Sequence, residues 1–205
     1  MQKLCECKMY SFRKRLKLNH RQRPPDRRAI FAWFEAMTQK ATPTSDLEST
    51  LVVRLATDAD RAHLIPLINS AFSIETFLEG ERTDEDSLAE MMRKGELLAA
   101  EDSNGQLVGC VYTEVRGERG YMGMLTVDPA RQRSGLGTRI MEAAENHLRS
   151  RGCNAVDILV LNLRTELPPI YRRRGYVETG TQKDGLHRKL KPGFEYHFIV
   201  MSKEL

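Results

Sequence analysis

The sequence predicts a mixed α/β domain from residue 51 onward, and three observations support this fold class. Three apolar segments between residues 96 and 127 follow one another as a meander, and the turn Asp102-Ser103-Asn104-Gly105 joins the first two. Farther along the chain, apolar strands alternate with amphipathic helices, which indicates a mixed sheet. The chain has 205 residues, of which 40% are hydrophobic and 29% are charged. It can therefore bury the core of one ordinary domain, with or without an appendage.

The individual elements follow from apolar spacing and from residues that end helices. Runs of apolar or alternating residues predict strands at 51–55, Glu96–Glu101, 107–115, 120–127, Ala155–Leu161, 176–179 and 196–201. Apolar residues at spacings of three and four predict helices at 58–72, near 84–94, from Leu136 to a stop at Gly152, and through Ile170 and Tyr171. Gly95 is expected to end the second of these helices.

The first quarter of the chain differs from the rest in charge and pattern. Residues 1–46 carry eleven Lys or Arg and four Asp or Glu, whereas the remaining residues carry 21 basic and 24 acidic side chains. We expect residues 1–48 to be a basic extension that is disordered or lies outside the fold, and residues 49–205 to form the functional domain. Two alternative interpretations of the extension remain. It is an arm that binds nucleic acid, or the natural protein starts at Met37. The domain itself lacks the excess of basic residues that is typical of a nucleic-acid-binding domain.

Cysteine usage and hydropathy bear on the cellular environment. No run approaches the roughly 18–20 apolar residues of a membrane-spanning helix. The four cysteines (Cys5, Cys7, Cys110 and Cys153) lack the spacing of a disulfide framework or a zinc quartet. We therefore expect a cytoplasmic protein without a membrane anchor or a metal.

A glycine-containing turn is the feature of the sequence that indicates a ligand-binding site. It lies between the strand that ends near Val127 and the long helix, and it places glycines at 135 and 137. Glycines there would let backbone N–H groups and the positive end of the helix converge on a ligand. A Rossmann loop would need a glycine or alanine where Ile140 stands, and no Walker sequence is present. The surrounding arginines are Arg131, Arg133 and Arg139. The turn therefore predicts a cradle for a pyrophosphate.

The segment Gln132-x-x-Gly135-x-Gly137 resembles the signature of the GCN5-related N-acetyltransferase (GNAT) superfamily, whose loop holds the pyrophosphate of acetyl-CoA. A second hallmark is similar too, since Tyr171 is followed four residues later by Gly175-Tyr176. The order of elements from about residue 51 to residue 205 matches the same family. The resemblance implies a splayed central sheet with helices on both faces, and it leaves a homodimer open.

The resemblance also implies a set of functional residues. The expected cofactor-binding residues are Leu125, Thr126, Val127, Gln132, Arg133, Ser134, Gly135, Leu136, Gly137, Thr138 and Asn162. The first three would act through backbone groups near the acetyl and pantetheine portion, and Asn162 would contact the pantetheine. Tyr171 is the expected catalytic residue, because a phenol of pKa about 10 can protonate a thiolate of pKa about 8.5 and stay protonated at neutral pH.

The sequence departs from two family patterns. Histone-type members carry a catalytic Glu where Tyr121 stands, so that base is missing. Ribosomal-protein-type members often carry Asn where Arg164 stands. Glu114 and Glu118, which flank the turn between the central strands, are candidate bases that would act through water. We expect His147, on the apolar stripe of the long helix, to be a packed histidine.

The resemblance implies transfer of an acetyl group from acetyl-CoA to a primary amine. We expect this transfer to be direct, because no Ser–His or Cys–His arrangement stands out. A transferase for a larger acyl-CoA and a non-catalytic CoA-binding sensor stay as alternatives. The sequence does not identify the amine that accepts the acetyl group. Segment 73–87 holds six acidic residues against Arg82 alone and could attract a cationic amine. The same acids are also explained by a helix that Thr83 caps and whose dipole favours them.

Overall fold

A seven-stranded sheet organises the part of the chain that the computed structural model describes, residues 51–205. The strands are β1 (Val52–Leu55), β2 (Glu96–Glu101), β3 (Leu107–Arg116), β4 (Arg119–Val127), β5 (Ala155–Leu161), β6 (Val177–Gln182) and β7 (Phe198–Glu204). Their order in the sheet is β1-β2-β3-β4-β5-β7-β6. Only β4 and β5 pair in parallel among these strands. The predicted mixed sheet is confirmed.

The described helices are α1 (Arg61–Phe72), α2 (Glu85–Lys94), α3 (Leu136–Ser150) and α4 (Leu167–Arg172). The predicted first helix begins as a 3-10 turn at Asp58–Asp60. The cap of α2 is Asp84, whose side chain accepts the backbone N–H of Ser87, so the prediction that Thr83 caps this helix is wrong. Asp84 takes this position because a carboxylate accepts an orphan N–H and also favours the positive end of the helix.

Helices cover both faces of the sheet, as the resemblance implied. On one face, Ile140, Ala144 and Leu148 of α3 pack in a cluster with β-strand residues such as Met122. On the other face, Leu64 and Ile68 of α1 pack in a second cluster. No helix within residues 51–205 is long and apolar enough to cross a membrane.

The cluster that α3 forms with the sheet is called the α3 cluster below. Polar side chains at its edge have specific hydrogen-bond partners. Tyr176 is 1% exposed, and its hydroxyl donates to the buried carboxylate of Glu145 over 2.9 Å. His147 is half-buried, and its Nε2 lies 2.7 Å from a carboxylate oxygen of Glu96. His147 thus packs at the edge of the cluster with a carboxylate partner at the start of β2, rather than in the apolar interior.

The predictions made for residues 1–48 concern positions outside the described residues.

Candidate functional site

Strands β4 and β5 pair along the first half of their length and then diverge. The pairing of β4 with β5 runs from Arg119 with Ala155 to Met122 with Ile158 and stops there. Beyond this point β5 continues to pair with β7 as far as Leu161. The second half of β4, residues 123–127, therefore faces a gap in the sheet rather than a neighbouring strand on its β5 side. This gap is the splay that the family resemblance implied.

A β-bulge lies on β4 where the gap opens. Cys110 of β3 pairs with Thr126 and Tyr112 pairs with Gly123, so two β4 residues stand opposite one β3 residue. Met124, within the bulge, has a φ of +50°, which is strained for a residue with a side chain. The fully buried Thr126 hydroxyl donates to the Met124 carbonyl over 3.0 Å and holds the bulge in place.

The bulge determines which groups of residues 125–127 can contact a ligand. Because the Thr126 side chain is buried and committed to Met124, only backbone groups of Thr126 can meet a ligand. Leu125 and Val127 are half-buried, and their side chains pack against the α3 cluster. The arrangement thus leaves the β4 backbone as the polar surface that lines the gap, which is the role proposed for these three residues.

The turn between β4 and α3 forms a concave backbone surface. Arg133 has a φ of +63° and Gly135 a φ of +86°, and left-handed residues so close together turn successive N–H groups toward one point. Within the described chain, the N–H groups of Leu136 and Gly137 have no backbone acceptor. A Cβ added to Gly135 would meet open space, and one added to Gly137 would meet only Val127, at 3.4 Å. Such a cradle fits the pyrophosphate of acetyl-CoA.

The side chains of the turn are arranged around the cradle in different ways. Gln132 and Ser134 brace the turn: the Gln132 amide donates to the Val127 carbonyl over 3.3 Å, and the Ser134 hydroxyl donates to the Arg131 carbonyl over 2.6 Å. The Thr138 hydroxyl accepts a hydrogen bond from Arg174, which ties the first turn of α3 to the end of α4. Arg133 and Ser134 are exposed, and Leu136 is half-buried.

The three arginines of the turn do not all surround the cradle. Arg131 points to the β2–β3 turn instead, where it binds the Asp102 carboxylate over 2.8 Å and Gln106 over 2.9 Å. This corrects the prediction for Arg131, whose charge is already neutralised. Two cavities flank the first half of α3. One of about 430 Å³ is lined by Thr138, Arg173, Arg174 and Lys203 among others, and one of about 350 Å³ by Ser134, Leu136 and Arg139 among others.

Asn162 lies just beyond the end of β5, on the far side of the gap from β4. Its amide oxygen accepts the backbone N–H of His197 over 2.9 Å, and its own backbone N–H donates to the His197 carbonyl. These bonds fix the direction of the side chain, and they leave its NH₂ group as the donor available to a pantetheine.

Tyr171 lies on α4, the short helix that follows β5. Its ring packs edge-on against Tyr176, with the ring centroids 5.7 Å apart. Loss of water contact raises the pKa of Tyr171, and the positive charges of Arg164 and Arg174 act in the opposite direction. Arg174 also binds Thr138 of the cradle helix. The phenol therefore stays protonated at neutral pH, and the residue that follows its helix by two positions is bonded to the cradle helix.

The candidate bases have different surroundings. Hydrogen bonds from Arg116 lower the pKa of Glu114, which makes this carboxylate a weaker base. Glu118 is exposed and lies at the far end of β4 from the cradle. Tyr121 stands closer to the gap, because a Cβ on Gly123 would lie 2.6 Å from the Tyr121 hydroxyl. Burial raises the pKa of Tyr121, so this hydroxyl is protonated at neutral pH.

Three of the six carboxylates of segment 73–87 pair with basic side chains of the domain, namely Glu75, Glu79 and Glu85. Glu75, which is 9% exposed, binds both Arg164 and Arg188. Glu79 pairs with Lys189 over 3.3 Å. The remaining contacts of the segment join Glu81 to Asn69, Asp84 to Ser87 and Glu85 to Arg61. These carboxylates hold loops and helices together, and they do not support the idea that the segment attracts a cation.

The two described thiols are poor nucleophiles. Cys110 is fully buried, and this burial raises the pKa of its thiol to about 12. Cys153 is 4% exposed and makes no disulfide. Across residues 51–205 there is also no group of three His, Cys, Asp or Glu side chains placed to hold a metal ion.

Comparisons with known proteins agree with this geometry. The GNAT acetyltransferase domain family matches residues 59–187. A mycothiol acetyltransferase from Propionibacterium freudenreichii is 30% identical over 132 residues, which cover 60% of this chain and 42% of that protein. The present chain thus spans less than half the length of this curated relative.

Solved structures share the fold at lower sequence identity. A Salmonella typhimurium protein, whose structure contains its cofactor acetyl-CoA, has a TM-score of 0.59 at 20% identity and covers 76% of this chain and 94% of its own. A ribosomal-protein-alanine N-acetyltransferase from Brucella melitensis has a TM-score of 0.60 at 21% identity, over 75% and 99% of the two chains.

Proposed function

Because this chain belongs to the GNAT acetyltransferase family, we propose that it transfers the acetyl group of acetyl-CoA directly to a primary amine. The observation that carries the proposal is the gap between β4 and β5, which begins at a β-bulge and ends at a cradle of backbone N–H groups. The gap suits a thin pantetheine chain, and the cradle suits the pyrophosphate at the end of that chain.

The residues around the gap have separate roles in the proposed acetyl transfer. Backbone N–H groups of β4 near residues 125–127 would stabilise the oxyanion that develops on the thioester carbonyl. A neutral amine forms a C–N bond to the carbonyl carbon, the C–S bond breaks, and the amine nitrogen releases one proton to water. Tyr171 donates a proton to the sulfur and is reprotonated from water, so the products are an N-acetyl amide and the free thiol of CoA.

Direct transfer is supported by the surroundings of the thiols. An acetyl-enzyme intermediate would need an activated nucleophile, and the pKa of the buried Cys110 is raised to about 12. Attack by the bound amine requires no such group.

The test is a screen for CoA thiol release with acetyl-CoA and a panel of small amines, amino acids, peptides and the acceptor of the mycothiol acetyltransferases. Release with at least one amine, together with the matching N-acetyl product by mass spectrometry, is the expected result. The same screen with propionyl- and butyryl-CoA detects a preference for a larger acyl group. Calorimetric binding of CoA without thiol release from any amine would contradict the proposal and favour a sensor.

A further inference from the structure

Two loops join at the end of the sheet where β4 and β5 diverge. The loop between α1 and α2 pairs with the loop between β6 and β7: the Glu79 N–H donates to the Lys189 carbonyl over 2.8 Å, and the Lys191 N–H donates to the Phe77 carbonyl over 3.0 Å. Glu75 of the first loop also binds Arg164, which follows the end of β5, over 3.1 Å. The first loop is thereby fixed beside the opening of the gap.

Arg82 extends from this loop toward the same opening. Its guanidinium carbon lies 5.1 Å from the centroid of the Phe72 ring. Phe72 and Tyr121 pack against the same hydrophobic cluster. Arg188 donates to the carbonyl of Gly80, two residues before Arg82, over 3.4 Å. The Tyr121 hydroxyl in turn stands over Gly123, next to the bulge. Arg82 therefore faces the α1–α2 side of the gap, opposite the side that α3 and its cradle occupy.

Arg82 differs from the arginines near it, which are paired with carboxylates. Arg82 makes no ion pair with any carboxylate of residues 51–205. Arg164 and Arg188 share one carboxylate, that of Glu75, and Arg164 has a further partner in Glu166. A half-buried guanidinium beside another arginine is costly unless an anion completes the group.

We propose that the acceptor is an amine that also carries a carboxylate, and that Arg82 binds this carboxylate. The inference rests on the proposed acetyl transfer and adds the chemical class of the acceptor. The planar guanidinium offers two parallel N–H donors that match a carboxylate. With the carboxylate held on the α1–α2 side, the amine of the same molecule is directed at the β4 bulge, where the C–N bond forms and the C–S bond breaks.

The first test compares each L-amino acid of a panel with its carboxamide, which keeps the shape and the amine and removes the negative charge. We expect thiol release from the amino acids with a kcat/KM about 10- to 100-fold above that of the carboxamides. Equal rates, or a preference for carboxamides or for spermidine, would overturn the inference and leave the proposed function intact. Thiol release from no amine would instead overturn the proposed function.

Binding is measured separately, so the inference does not depend on turnover. Calorimetry on the CoA-saturated protein should detect the preferred amino acid and not its carboxamide. If neither binds, or both bind equally, the inference is wrong whatever the turnover screen shows.

The second test replaces Arg82 itself. Arg82→Gln should raise the KM of the amino acid about 10- to 100-fold and leave the KM of acetyl-CoA and the rate with the carboxamide unchanged. Arg82→Lys should restore part of the loss, because it restores the charge without the planar donor pair. Arg93→Gln, which removes an exposed arginine of α2, is the matched control and should behave like the parent protein. A loss that is equal for amino acid and carboxamide would show that Arg82 serves the structure only.

Discussion

Tyr171→Phe removes a single oxygen atom from the side chain that we assign as general acid. The ring that packs on Tyr176 is kept, with its centroid distance of 5.7 Å. The hydroxyl of Tyr171 makes no hydrogen bond to another of the residues described. We therefore expect the free energy of unfolding to change by less than about 0.5 kcal/mol.

The size of the kinetic effect follows from the two pKa values. A positioned general acid contributes on the order of 10²–10⁴ in rate. The pKa of Tyr171 is raised above its ordinary value of 10.0, whereas that of a thiol is about 8.5. Proton transfer to the thiolate is thus uphill by at least about 2 kcal/mol, which reduces the advantage over water. We expect kcat to fall about 10- to 1000-fold at pH 7, with the affinity for acetyl-CoA nearly unchanged.

The neighbouring Tyr176→Phe is the matched control and should give the opposite result. It deletes the 2.9 Å hydrogen bond to the buried Glu145 carboxylate, which should cost about 1.5–3 kcal/mol of stability. Its kcat per folded molecule should equal that of the parent. Steady-state kinetics, acetyl-CoA calorimetry and urea denaturation of both variants complete the assay. Full activity of Tyr171→Phe, with chemistry shown to be rate-limiting, would refute the assignment and make water the proton donor.

Two further predictions concern the boundary and the stability of the domain. A chain that begins at Met37 should bind acetyl-CoA and unfold like the full chain in calorimetry; weaker binding would show that the first 36 residues are integral. Hydrogen bonds from Arg54, and then from Thr57, lower the pKa of Asp60 against the effect of burial. This carboxylate therefore stabilises the fold above about pH 4, and the contribution is lost as the pH falls further. Asp60→Asn should accordingly lose more stability at pH 7 than at pH 2 in urea denaturation, and equal losses would contradict the assignment.

Features that depend on neighbouring residues in the chain could be predicted from the sequence. The glycines before an amphipathic helix predicted a tight turn at the helix start, and Gly135 there has a left-handed φ of +86°. Strand ends were less accurate. The last strand was expected at 196–201 and lies at Phe198–Glu204, since its polar end is fixed by pairing with β5, from Ala155 with Glu204 onward.

Features that depend on distant residues could not be predicted. The positive φ of the bulge falls on Met124 and not on the adjacent Gly123, and the bulge is held by β3 pairing and by the Thr126 hydroxyl. Glu75 lies 89 residues from Arg164 and 113 from Arg188, so no local pattern connects them. This buried group neutralises one of the six carboxylates of the acidic segment, and it directs attention to Arg82.

The central claim is that the backbone cradle at the start of α3 holds the pyrophosphate of acetyl-CoA. Gly137 is the position to test, because a substitution at Gly135 would also strain its φ of +86°. A Cβ at Gly137 meets only Val127, at 3.4 Å, so the fold should tolerate a valine whose methyl groups occupy the ligand space. The control is Gly180→Val, at an open position on the exposed strand β6.

Calorimetric titration of acetyl-CoA into the folded variants measures this claim directly. Loss of two N–H contacts to a charged phosphate, at about 1.5–3 kcal/mol each, should weaken acetyl-CoA binding to Gly137→Val by at least about 100-fold. Gly180→Val should bind like the parent protein. Parent-like affinity in a folded Gly137→Val protein would place the pyrophosphate elsewhere and contradict the account.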